Sequence, residues 1–170
     1  MKWGLALFLI GWLVRPAAGL EIAGRYEWAE PTGEASAYTQ ALHTAAASAN
    51  ALIRSLVRKQ LAATAAPYSG VHFVETESGL AFDRVPGARP VVAVLNGPSI
   101  AWEREDGQVY QVAVAAATDG LVQQFTGAKG TRENRFQWSA DGQTLRLTVT
   151  IRASVLKTPL VYTQTFRRTP

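Results

Sequence analysis

Asp141-Gly142-Gln143-Thr144-Leu145-Arg146-Leu147-Thr148-Val149-Thr150-Ile151-Arg152-Ala153 alternates strictly after its opening turn. Leu145, Leu147, Val149, Ile151 and Ala153 fall on one side, and Arg146, Thr148, Thr150 and Arg152 on the other. A period of two belongs to a strand with one face buried and one face wet. The Asp-Gly pair before it tolerates the positive φ of a tight hairpin turn. The same punctuation recurs upstream at Ser78-Gly79, Pro86-Gly87, Asn96-Gly97, Asp106-Gly107, Asp119-Gly120 and the Gly127 to Gly130 stretch. A spacing of about ten residues predicts an antiparallel meander in which sequence neighbours pair in space. A long meander leaves two open edges, and closing into a barrel removes them.

The remaining strands are placed by the same alternation: Ile22 to Trp28, Val71 to Glu77, Leu80 to Val85, Val91 to Leu95, Ile100 to Glu105, Val109 to Ala116, Leu121 to Phe125, Arg132 to Trp138 and Leu160 to Arg168, with Leu145 to Ser154 the clearest. Pro31-Thr32-Gly33 ends the first. One long helix is expected from Ser36 to Leu61, between the first two strands. Tyr38, Leu42, Ala45, Ala49, Leu52 and Leu56 step by three and four onto one stripe. Ser36 serves as N-cap, and Arg54, Arg58 and Lys59 suit the carbonyl end. The fold class is therefore mainly β: an up-and-down antiparallel barrel of about nine or ten strands, with the helix over it.

Bulk properties narrow the function. Trp3 to Val14 is a nearly unbroken apolar run behind Lys2, broken by Arg15-Pro16 and followed by Ala17-Ala18-Gly19. This reads as a signal peptide over residues 1–19, leaving one barrel domain over 20–170. The run is too short for a spanning helix, so after cleavage no integral span is expected. The protein is expected to be exported, periplasmic or secreted, and monomeric. The chain has no cysteine, which excludes disulfides, thiolate metal sites and a Cys nucleophile. The formal net charge is +4, and two of those charges (Lys2, Arg15) belong to the leader. No basic run is longer than the two residues of Arg167-Arg168, so no nucleic-acid partner is expected.

The order of one strand, a helical segment and a long meander, with Gly24-Arg25-Tyr26 in the first strand, resembles the calycin barrels. It is most similar to the fatty-acid-binding-protein type, and in general look to small exported lipocalin-like proteins of bacterial envelopes. The family's first-strand G-x-W appears here with Tyr26 in the Trp position and Trp28 two residues on. Asp141 to Thr148 is similar to the family's penultimate hairpin, and Thr163-Gln164-Thr165-Phe166-Arg167-Arg168 to its closing strand. That resemblance implies a ligand inside the barrel. In the family the closing strand carries an Arg-x-Tyr clamp for the ligand carboxylate; here the matching positions are Gln164 and Phe166. Glutamine cannot replace a guanidinium's charge. The resemblance therefore implies a small apolar or neutral lipid-like ligand, bound without catalysis.

Trp138, Tyr162, Gln164, Phe166, Tyr110 and Trp102 are the candidate lining residues. Phe125 and Phe136 share their strands, as do the polar residues Gln111, Gln123, Gln124, Arg132 and Asn134. Pockets combine apolar walls with a few polar anchors. The plainer alternative is that the aromatics fill a solid core and the barrel serves as a structural or interaction protein. No cofactor, metal or catalytic residue is expected. His43 and His72 lack a partner at ligand spacing, and Ser139 with Asp141 lacks a histidine. Glu75 with Glu77, and Glu103 with Glu105, have the spacing of any wet strand face.

Overall fold

The computed structural model describes residues 22–85 and 89–170. The expected leader and the Pro86-Gly87 turn lie outside the described residues. The strands are β1 (Gly24–Trp28), β2 (Gly70–Thr76), β3 (Gly79–Val85), β4 (Val91–Ala93), β5 (Ile100–Glu103), β6 (Val109–Ala117), β7 (Gly120–Gly127), β8 (Gly130–Trp138), β9 (Thr144–Ala153) and β10 (Leu160–Thr169). They form one antiparallel sheet in the order β4-β3-β2-β1-β10-β9-β8-β7-β6-β5. β1 pairs with β2 on one edge and β10 on the other, with Tyr26 opposite both Val71 and Arg168. The last strand thus returns to the first, and the meander becomes a nearly closed barrel.

Closure is incomplete between β4 and β5, where the expected hairpin at Asn96-Gly97 does not form. Asn96 instead adopts φ 58°, a left-handed conformation that asparagine tolerates. Its backbone N–H donates to Val114 O at 2.8 Å, and its side-chain Oδ1 accepts from Ala116 N at 2.9 Å. The chain leaving β4 is thereby tied to β6, next to the stretch of β6 that pairs with β5. Both edge strands are short, which limits their exposure as templates for further pairing.

The single helix expected over Ser36 to Leu61 is two helices, α1 (Pro31–Ala47) and α2 (Arg54–Thr64). Pro31 opens α1 in the first turn, where its missing N–H costs nothing. Ser36 is accordingly inside the helix, with its hydroxyl donating to Thr32 O. The break has local causes. Asn50 Oδ1 accepts from Leu52 N, a turn that competes with helical bonding. Ser48 Oγ accepts from Lys157 N at 3.2 Å and Thr158 N at 3.1 Å, pinning the end of α1 to the β9–β10 turn. The expected stripe therefore fails after Ala49: Leu52 and Leu56 are exposed (91% and 63%), and Val57 and Leu61 are buried instead.

Inward positions alternate as a half-buried sheet requires. Leu145, Leu147 and Val149 on β9 and Leu160, Tyr162, Gln164 and Phe166 on β10 are all buried. One end of the barrel is filled by rings. Phe73 lies edge-on to Phe136 and Trp138 at 5.2 Å, and Phe82 packs 5.2 Å from Phe136. Burying each such ring contributes about 1.5–3 kcal/mol, with ring-edge geometry adding about 0.5–1.5 kcal/mol per pair. No helix among the described residues is long and apolar enough to cross a membrane.

The tightest backbone approach is at the start of β7. A Cβ on Gly120 would stand 1.8 Å from Phe136 O on β8. Gly120→Ala is expected to destabilise the protein by about 2–3 kcal/mol, since this overlap is with backbone and cannot relax by a rotamer change. The shift of the urea-unfolding midpoint measures it, and an unchanged midpoint would contradict the register.

Candidate functional site

The opposite end of the barrel is hollow. A cavity of about 480 Å³ lies beneath α2, among the turns that join β5 to β6, β7 to β8 and β9 to β10. Small-molecule sites fall in the range of roughly 300–1,000 Å³. Val57 and Leu61 of α2, Phe82, Val91, Phe125 and Ile151 form apolar wall. Trp102, Tyr110 and Phe125 make a second aromatic group on that wall, with ring centroids 5.6 Å (Trp102–Phe125) and 6.4 Å (Tyr110–Phe125) apart.

The six expected lining residues divide between the two ends. Trp102 and Tyr110 line the cavity. Trp138 belongs to the filled end, where its indole N–H donates to Tyr26 OH at 3.0 Å. Phe166 is fully buried in the same core. Tyr162 donates to Ala65 O at 2.8 Å and so anchors the segment after α2. Burial raises its pKa, with the charge of Arg132 opposing. Gln164 turns both ends of its amide to Tyr68: Oε1 accepts from the backbone N–H at 2.9 Å and Nε2 donates to the carbonyl at 2.8 Å. The position that resembles half of a carboxylate clamp is here a brace for the chain entering β2.

The residue that sequence reasoning underweighted is Arg132. It stood among the strand polar groups without being singled out. Strand parity places it inward with Asn134 and Phe136 on β8, two residues from the Gly130 turn. Its Nε donates to Asn134 Oδ1 at 2.9 Å, and Asn134 Nδ2 donates to Gln123 Oε1 at 2.9 Å. Nη1 donates to Thr64 O at 3.3 Å, and Nη2 is buried with no hydrogen-bond partner among the described residues. The guanidinium lies 5.1 Å from the Tyr68 ring centroid, and that of Arg84 lies 5.5 Å from the same ring. Burial works against the charge of Arg132, but the Tyr68 and Tyr162 phenols more than offset it, so its pKa stands above the ordinary value. Among the described residues no carboxylate pairs with it. A buried cation without an anion is costly, and such positions are a signature of ligand sites. The signal that would have found it is a charged residue at an inward parity position.

Other polar groups have ordinary roles. Arg104, also on the cavity wall, forks onto Asp106, and this bond holds the Asp106 carboxyl down to about 2. Glu75, Glu77, Glu103 and Glu105 are all exposed, as is His43. Among the described residues no group of three or more His, Cys, Asp or Glu could hold a metal ion.

In sequence, no family model and no curated protein matches the chain. Solved structures do match. A Schistosoma mansoni fatty acid binding protein in complex with arachidonic acid aligns with TM-score 0.52 and 12% identity, covering 88% of this chain and 96% of that one. Caenorhabditis elegans lipid binding protein 8, in its apo form, aligns with TM-score 0.55 and 12% identity over 86% and 94%. A fatty-acid-binding protein from Drosophila melanogaster brain aligns with TM-score 0.50 and 14% identity over 86% and 99%. At these identities the likeness is one of fold. The ten-stranded, nearly closed barrel with two helices between its first two strands shares the fold of these fatty-acid-binding and lipid-binding proteins.

Proposed function

We propose that this chain is a non-enzymatic carrier of a small lipid-like molecule, held in the cavity beneath α2. The observation that carries the reading is Arg132: a half-buried guanidinium on the cavity wall, beside apolar side chains, with no carboxylate to pair with among the described residues. A ligand with an apolar tail and an anionic head would supply what both surfaces lack. The tail would gain about 25 cal/mol for each Å² removed from water. The head would gain charge-assisted hydrogen bonds. This moves the ligand from the neutral class implied by Gln164 and Phe166 to an acidic one. The anion-binding role would pass from the closing strand to β8. The lipid-binding neighbours support the reading through fold alone.

A barrel packed solid throughout is the competing reading. The ring-filled end agrees with it, and the cavity under α2 favours the carrier. The leader over residues 1–19 extends the proposal to an exported protein, on the strength of its apolar run and small-residue cleavage site.

Two outcomes are expected. Titration with a dansyl-labelled undecanoic acid should saturate at one ligand per chain, and Arg132→Gln should weaken it roughly 10- to 100-fold while leaving dodecanol binding within about twofold. Equal weakening of acid and alcohol would remove Arg132 from the head-group role. Intact-mass analysis of protein recovered from the producing cells should give the mass of residues 20–170, or a start within two residues of that. Full-length mass would reject the leader.

A further inference from the structure

The cavity is lined by six cations, Arg84, Arg89, Arg104, Lys129, Arg132 and Arg152, and among the described residues by no Asp or Glu. Two are neutralised from outside the wall: Arg89 by Glu103 at 3.8 Å and Arg104 by Asp106. Lys129 and Arg152 are exposed at the rim. Arg84 of β3 and Arg132 of β8 are half-buried, lie 5.5 and 5.1 Å from the centroid of the same Tyr68 ring, and pair with no carboxylate among the described residues. Tyr68 is itself buried, and its ring face holds two guanidinium groups without neutralising either.

We propose that the cavity selects an amphiphile whose head is a phosphate monoester rather than a carboxylate, with Arg84 and Arg132 as its paired anchors. The inference rests on the carrier reading above and names the class of ligand within it. The reason is charge count and geometry together. One carboxylate carries one charge and two oxygens, so it satisfies one guanidinium fork and leaves the second arginine uncompensated. A phosphate monoester carries close to two charges at neutral pH and three terminal oxygens, enough for both forks. Thr64 and Gln60 of α2, and Thr131 beside Arg132, add polar groups to the same wall. Val57, Leu61 and Phe125 leave an apolar surface beyond them, which suits a hydrocarbon tail and not the polar remainder of a nucleotide or sugar phosphate.

The test compares dodecyl phosphate with dodecanoate by isothermal titration on the full barrel. At about pH 7.5 the phosphate should bind at least about tenfold more tightly, and the advantage should shrink to about threefold or less near pH 5.5, where its second proton returns. Arg84→Gln, which leaves Arg132 in place, should cost the phosphate roughly tenfold and dodecanoate less than about twofold. If the variant does not fold, the head-group comparison and its pH dependence on the unaltered protein decide the matter. Equal affinity for the two heads, or a parallel loss of both in Arg84→Gln, overturns the phosphate assignment while the carrier stands. Binding of neither amphiphile overturns both.

Discussion

Closure of this barrel depends on β1, a five-residue strand hydrogen-bonded along both of its edges. Its partners come from opposite ends of the meander, β2 near the start and β10 at the end. Without that double pairing the sheet would keep long unpaired edges and its inward face would meet solvent. With it, Tyr26 becomes almost wholly buried, and Leu145, Leu147 and Phe166 lose all contact with water. α1 reinforces the same seam. Glu34 Oε2 accepts from the Trp28 indole at 2.5 Å and from Thr165 N at 2.9 Å, joining helix, first strand and last strand at one carboxylate.

The interior that results is divided. Large rings from β2, β3 and β8 occupy one end, and α2 caps a hollow at the other. The polar run Arg132–Asn134–Gln123 reaches from the cavity wall into the packed sheet, and Asn134 and Gln123 are buried. Each member satisfies the next, which avoids the cost of an unpaired buried amide. The run also holds the arginine side chain by its Nε and leaves its far edge for other work. Gln164 and Tyr162 act similarly from β10, bracing the segment between α2 and β2 that forms part of the cavity's roof.

Strand positions were legible because alternation is a local property. The registers of β8, β9 and β10 follow from which side chains are apolar, and a slip of one residue would turn Leu147 and Arg146 inside out. The helix was less legible. The stripe from Tyr38 to Leu56 has a helical period, but Asn50 and Ser48 divert the backbone, one into its own turn and the other to the distant β9–β10 turn. The second tie is a tertiary contact and has no local trace. The missing β4–β5 hairpin has the same origin: Asn96-Gly97 looks like any tight turn until Val114 and Ala116 on β6 capture Asn96.

The candidate site shows the same boundary most plainly. Parity says which side chains point inward, and on that count Trp102, Tyr110, Trp138, Tyr162, Gln164, Phe166 and Arg132 are alike. Parity cannot say how high along the barrel each one sits, and height separates the ring-filled end from the hollow one. By itself the sequence determined an antiparallel meander, its inward residues and a helical insertion after the first strand, because these rest on interactions between near neighbours. Only the tertiary structure decided which inward residues meet a cavity and which meet each other. It also decided that an arginine would stand there without a counter-ion among the described residues, because charge balance in a barrel is struck between strands that are distant in the chain.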